Sequence, residues 1–174
     1  AGAATIAQMI VGGFGFGVLN PFFSRRIGVA KDTIDGASYS NPILFGARLS
    51  GKLNEDTRLG LLTIQTAADE EFGLPSYNYS VATVQKKVFS RSNLGFIVVN
   101  KEHFDDQADA YHYTKYNRVV GSDLNLFSAD NRWSGKLFYH HSFSDSNERG
   151  GGQHGADISY TRDRYKFNWN HQMV

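Results

Sequence analysis

Residues 165–173, YKFNWNHQM, alternate without a break. Tyr165, Phe167, Trp169, His171 and Met173 fall on one side, and Lys166, Asn168, Asn170 and Gln172 on the other. A helix would spread both sets around its circumference, whereas a strand separates them completely. This period of two restricts the segment to a β-strand with one apolar face.

The same pattern recurs upstream. In 42–53, Phe45, Ala47, Leu49 and Leu53 oppose Arg48, Ser50 and Lys52. In 116–127, Ser122, Leu124 and Leu126 oppose Gly121, Asp123 and Asn125. In 133–143, Trp133, Leu137, Tyr139 and Phe143 oppose Ser134, Lys136 and Ser142. Residues 155–162 set Ala156, Ile158 and Tyr160 against Asp157, Ser159 and Thr161. Further strands are expected at about 57–67, 78–89 and 94–103, with more mixed faces. Short turns are expected at Asn54–Asp56, Ser90–Asn93, Ser128–Arg132 and Asp163–Arg164. Long loops are expected at about 68–77, 104–115 and 144–154, so that short and long connections alternate.

Strand length separates two kinds of antiparallel protein. Several of these runs extend over roughly 10–12 residues, whereas strands of soluble proteins centre near 5–6 and a tilted membrane strand needs roughly 9–11. Tyr79, Phe89, Phe127, Trp133, Phe143 and Tyr165 stand near strand ends, as interfacial aromatics do. The mean hydropathy of −0.39 is compatible with this, because apolar and polar faces cancel in the average. No run approaches the roughly 18–20 apolar residues of a spanning helix. The fold expected is therefore all-β: an antiparallel up-and-down transmembrane β-barrel, or a portion of a larger one. Its strands and loops fill 21–174. Residues 1–20 differ, being apolar and rich in glycine, and fit either a strand or a small-residue segment packed inside a barrel. The start lacks the basic region of a signal peptide and the end stops inside a strand, so the chain reads as a piece of a longer protein. A piece with two open edges is not expected to insert stably by itself.

With 18 basic and 17 acidic residues the net charge is +1, which gives no field to steer nucleic acid. There is no cysteine, which excludes disulfides and thiolate metal sites and fits an oxidising envelope compartment.

The segments PFFSRRIG (21–28), NPILFGARLSGKLNEDTRLGLLTIQTA (41–67), KKVFSRSNLGFIVVNK (86–101) and YNRVVGSDLNLF (116–127) resemble, in this order, domain-of-unknown-function family 5916 of Bacteroidota envelope proteins. The resemblance covers about 20–127. Members of that family look like an N-terminal domain similar to family-nine carbohydrate-binding modules followed by a long outer-membrane barrel region. The resemblance implies an outer-membrane location and a barrel, and no activity. The carbohydrate-binding-like domain is not visible in this chain.

Alternation assigns candidate residues to two sides. Arg25, Arg26, Arg48, Lys52, Asp123, Lys136 and Asp157 are expected to line a lumen, together with Asn125. Trp133, Tyr139, Tyr165 and Trp169 are expected to anchor the lipid side. The adjacent Arg25 and Arg26 suit a phosphate, carboxylate or sugar acid, though pairing with an acidic lumen residue is the plainer role. The acidic stretch 102–112, with Glu102, His103, Asp105, Asp106, Asp109 and His112, lacks an EF-hand glycine and matches no tight zinc spacing; a solvated loop is expected, with no metal. His140 and Ser142 share a strand face, as a histidine-activated serine would, and Asp145 and Asn147 follow; but both are expected to face the lumen, where a lipid hydrolase would not need them. ERGGGQHG at 148–155 is expected as a loop tip.

No catalytic residue and no cofactor is therefore expected. The function expected is that of a non-enzymatic outer-membrane barrel of the bacterial envelope: transporter, scaffold or subunit of a surface complex. Its partners would be outer-membrane lipid and envelope proteins. Glycan binding or processing through an associated carbohydrate-binding-like domain is the alternative, with loop aromatics such as Phe72, Tyr77 and Tyr111 as stacking platforms. A lipid-active barrel enzyme is a remote third.

Overall fold

In a computed structural model, residues 27, 29–31, 38–69, 74–104 and 114–174 are described. Among them there is no helix. Two short strands, β1 (Val29–Lys31) and β2 (Ser38–Ser40), form a separate antiparallel pair. Eight strands build one sheet: β3 (Ile43–Lys52), β4 (Thr57–Thr66), β5 (Tyr77–Val88), β6 (Ser92–His103), β7 (Tyr116–Phe127), β8 (Trp133–Ser144), β9 (Asn147–Arg162) and β10 (Tyr165–Met173). Each strand pairs antiparallel with its sequence neighbours, so the spatial order is the chain order. The expected all-β, antiparallel up-and-down arrangement is thus observed. The sheet is not closed: β3 and β10 are its two edges, and both are exposed along their whole length.

Register explains why the alternation in the sequence matters. Leu62, Val81, Val99 and Val119 stand directly opposite one another across β4–β7. With Ile64, Ile97 and the flanking Ile27 and Tyr79 they form the apolar core on one face. Each such side chain contributes roughly 1.5–3 kcal/mol by leaving water. The rows before and after this one put the intervening residues on the opposite face. There Phe45, Leu49, Phe96, Val98, Leu137, Tyr139, Phe167 and Trp169 are exposed. The sheet therefore has a buried face and an open face, and the open face is apolar. Towards the ends of β4–β7 nearest the β4–β5 and β6–β7 connections, the open face turns polar. Asn78 donates to Thr63 and Gln65, and Arg118 donates to Asn100 and Glu102.

Two expectations are corrected. Residues 144–154 are not a long loop. Only Asp145 and Ser146 turn the chain, and β9 starts at Asn147 and runs for 16 residues. Side-chain alternation is silent in GGG, but the ladder to β8 needs only backbone groups. A register shift between Ser142 and Ser144, beside Gly150 with its φ of +71°, admits the extra residues. The regular alternation of short and long connections consequently fails at this hairpin. Tyr79 also departs from expectation. It lies on the buried face, opposite Lys101, and not among the exposed aromatics.

The β7–β8 turn shows how the tight connections are fixed. Ser128 Oγ donates to Asp130 Oδ1 at 2.6 Å and accepts from the amide of Trp133 at 2.9 Å. The amide of Arg132 donates to the same Asp130 oxygen, and Asn131 takes the left-handed φ of 59° that closes the turn. The Ser128 hydrogen bond, then the Arg132 amide and the Arg132 guanidinium, hold the Asp130 carboxyl below its ordinary value. A depressed folded value adds stability that is present above the unfolded value and is lost as pH falls through the folded one. Asp130→Asn should accordingly destabilise slightly at pH 6 and not at pH 2. Urea unfolding of both proteins at the two pH values measures this; an equal difference at both would remove Asp130 from the account.

Candidate functional site

A charged cluster lies within the buried face, on β7, β8 and β9. Asp123 stands directly opposite Phe138. Its two diagonal neighbours on β8 are Lys136 and His140, and diagonal positions are within reach of long side chains. Asp123 uses both. Its Oδ1 is 2.7 Å from His140 Nε2, and its Oδ2 is 3.5 Å from Lys136 Nζ. Gln153, directly opposite His140 on β9, donates its side-chain amide to His140 Nδ1 at 3.1 Å. The arrangement fixes the imidazole tautomer: Nδ1 accepts, so the proton resides on Nε2 and is donated to Asp123.

Burial raises the energetic weight of these contacts. Asp123 is 2 % exposed, His140 1 % and the Lys136 side chain 17 %. A carboxylate withdrawn this far from water is tolerated only when its oxygens are paired. Phe138, 4 % exposed, closes one side of the cluster with its ring centroid 5.1 Å from that of His140. Gly121 is directly opposite His140, and Gly155 directly opposite Phe138. A β-carbon at Gly121 would lie 2.1 Å from His140 Cδ2, and one at Gly155 would lie 2.5 Å from Phe138 Cε1. The two rings therefore occupy the space that side chains at these glycines would take.

The candidate lumen residues are distributed unequally. Arg48, Lys52, Asp123, Lys136 and Asp157 all belong to the buried-face rows. Asp123 and Lys136 are brought into an ion pair. Asp157 stands opposite Lys136 and accepts from Asn170 at 3.5 Å. Arg48 and Lys52 are on edge strand β3, and Arg48 donates to Ser50. Arg25 and Arg26 lie outside the described residues, as do Asp105, Asp106, Asp109, His112, Phe72 and Tyr111. Of the acidic stretch, Glu102 pairs with Arg118 on the open face while His103 is on the buried face, so the two do not converge. Among the described residues no group of three metal-ligating side chains converges. Trp133, Tyr139, Tyr165 and Trp169 share the open face, at 52, 52, 77 and 46 % exposure.

The serine-hydrolase arrangement is not assembled. Ser142 Oγ donates to the Gly151 carbonyl, and both nitrogens of His140 are engaged elsewhere. Asp145 accepts from the Lys115 amide and does not orient His140. Gln153 was missed in sequence because it sat in an expected loop; its polar side chain in a glycine run is the one signal that pointed to it.

Comparison with known proteins adds no constraint, because no protein-family model, curated protein or solved structure matches this chain.

Proposed function

We propose that this chain supplies part of the wall of a bacterial outer-membrane β-barrel. It acts without catalysis, as a transporter, scaffold or subunit of an envelope complex. One observation carries this reading: the face bearing Phe45, Leu49, Phe96, Val98, Phe167 and Trp169 is exposed, while charged groups such as Asp123 and Lys136 are withdrawn to the other face. A contiguous apolar face of this extent needs a cover. Acyl chains supply such a cover without demanding close-packed complementarity. A shallow trough of about 420 Å³, lined by Ala47, Leu49, Leu61, Ala82 and Val98 among others, offers small residues to them.

Three further features agree with this reading. Strands β3–β8 have 10–12 residues, the length a tilted membrane strand needs. Trp133 packs on Tyr160 at 4.7 Å near the β7–β8 and β9–β10 turns, where an interfacial aromatic belongs. The resemblance of residues 20–127 to an envelope barrel family points the same way. The exposed edges of β3 and β10 would be covered by further strands of the same barrel, since open edges are very costly in lipid.

The tryptophans report directly on this assignment. With Trp133 or Trp169 as the sole tryptophan of the intact protein reconstituted in vesicles, brominated acyl chains should quench fluorescence strongly at both positions. Absence of quenching at both would mean that the open face is covered by protein.

A further inference from the structure

A second group of polar residues on the buried face is left without complements. It stands at the end of β5 and β6 farthest from the β5–β6 turn. His103 is directly opposite Tyr77, and Lys101 directly opposite Tyr79. The Lys101 ammonium lies 3.9 Å from the centroid of the Tyr77 ring and 5.9 Å from that of Tyr79. His103 meets the Tyr77 ring edge-on at 5.4 Å. The Tyr77 hydroxyl donates to the Thr114 carbonyl, which fixes the ring about which the cation and the imidazole are placed.

Neither positive nor polar group is matched. His103 is 1 % exposed, yet neither of its ring nitrogens has a hydrogen-bond partner. Buried polar nitrogens are nearly always paired, so two on one ring call for an explanation. Among the described residues no carboxylate pairs with Lys101; its contacts are the two tyrosine faces. The nearest acid in sequence, Glu102, points to the other face and pairs with Arg118. Aromatic faces soften the burial of an ammonium without cancelling its charge. Asn117, directly opposite Lys101 on β7, is exposed and carries an amide on the same face.

We propose that Lys101, His103 and Asn117 form a binding site for a phosphate group. The donors are separate and singly directed, an ammonium, an imidazole and an amide. This set suits a tetrahedral oxyanion approached from several sides better than the planar, two-pronged contact that arginine gives a carboxylate. The phosphate would supply the missing counter-charge to Lys101 and an acceptor for His103. The site stands on the buried face and does not depend on the membrane assignment.

Titration calorimetry on the intact protein, as purified, tests this with two probes: inorganic phosphate and dihexanoyl phosphatidic acid. Binding of both identifies the phosphate group alone as the determinant. Binding of the lipid only identifies a headgroup site, and binding of inorganic phosphate only identifies a site for the free ion. Each of these supports the proposal if Lys101→Met weakens binding at least tenfold. His103→Phe should weaken it similarly; if that variant fails to fold, Lys101→Met, which removes an unpaired charge, carries the test. No heat with either probe, or wild-type affinity in Lys101→Met, would overturn the proposal. Tryptophan quenching remains a separate measurement, so failure here leaves the membrane reading intact, and the reverse holds.

Discussion

Asp123→Ala is expected to destabilise the sheet by about 3–5 kcal/mol, the cost of leaving a buried charge without its partner. The expectation rests on geometry. Asp123 is 2 % exposed and its two oxygens meet His140 at 2.7 Å and Lys136 at 3.5 Å. Without the carboxylate, the Lys136 ammonium loses its buried counter-charge, and His140 Nε2–H loses its acceptor in a place where water does not reach. Asp157→Asn serves as the comparison. Asp157 is half-buried, stands opposite Lys136 and is approached by Asn170 at 3.5 Å, so its loss should cost no more than about 1 kcal/mol. Urea unfolding of both variants in one solvent measures the difference. Equal, small losses would show that the cluster is hydrated and that its charges need no pairing.

Gly121→Ala should cost about 3 kcal/mol, although it adds a single methyl group to a strand. Glycine usually weakens a strand, and alanine at a permissive site would be neutral or better. Here the new β-carbon would lie 2.1 Å from His140 Cδ2. The ring cannot move aside cheaply, because one nitrogen is tied to Asp123 and the other to Gln153. Gly51, with nothing within 4 Å of its notional β-carbon, is the control and should change stability by less than about 0.5 kcal/mol. Coupling identifies the cause: in a His140→Ala background the cost of Gly121→Ala should largely vanish. A cost that persists there would mean that the backbone, not the imidazole, is what the methyl group strikes.

The strand framework was legible because side-chain alternation survives in the sequence wherever one face is polar and the other apolar, as on β7, β8 and β10; on β4–β6, where Leu62, Val81 and Ile97 make the buried face apolar as well, it blurs. Residues 116–127 and 165–173 were bounded as the strands run, and 133–143 ends one residue early. The first half of β9 was not legible, because Gly150, Gly151 and Gly152 carry no side chains to alternate. The site was half legible. Asp123 and Lys136 were assigned to one side by parity alone. The partners of His140, Asp123 and Gln153, were not foreseen: only its same-strand neighbour Ser142 was weighed, and set aside, since spacing along one strand is visible in sequence while a contact across strands depends on register. For the same reason nothing marked Gly121 as the seat of His140. Tyr79 was misassigned because an aromatic near a strand end has the same appearance whichever way it points.

The neighbour-only order of the sheet bears on how it forms. No strand waits for a distant partner, so each hairpin can lay down the template for the next, and the chain closes only short loops at any step. Assembly of this kind is a zipper with two ends among the described strands, β3 and β10, each of which pairs with a described strand on one side only. The sheet carries no internal signal to stop. Neighbour pairing by itself fixes no strand number, so the width of such a sheet is decided at its two rims.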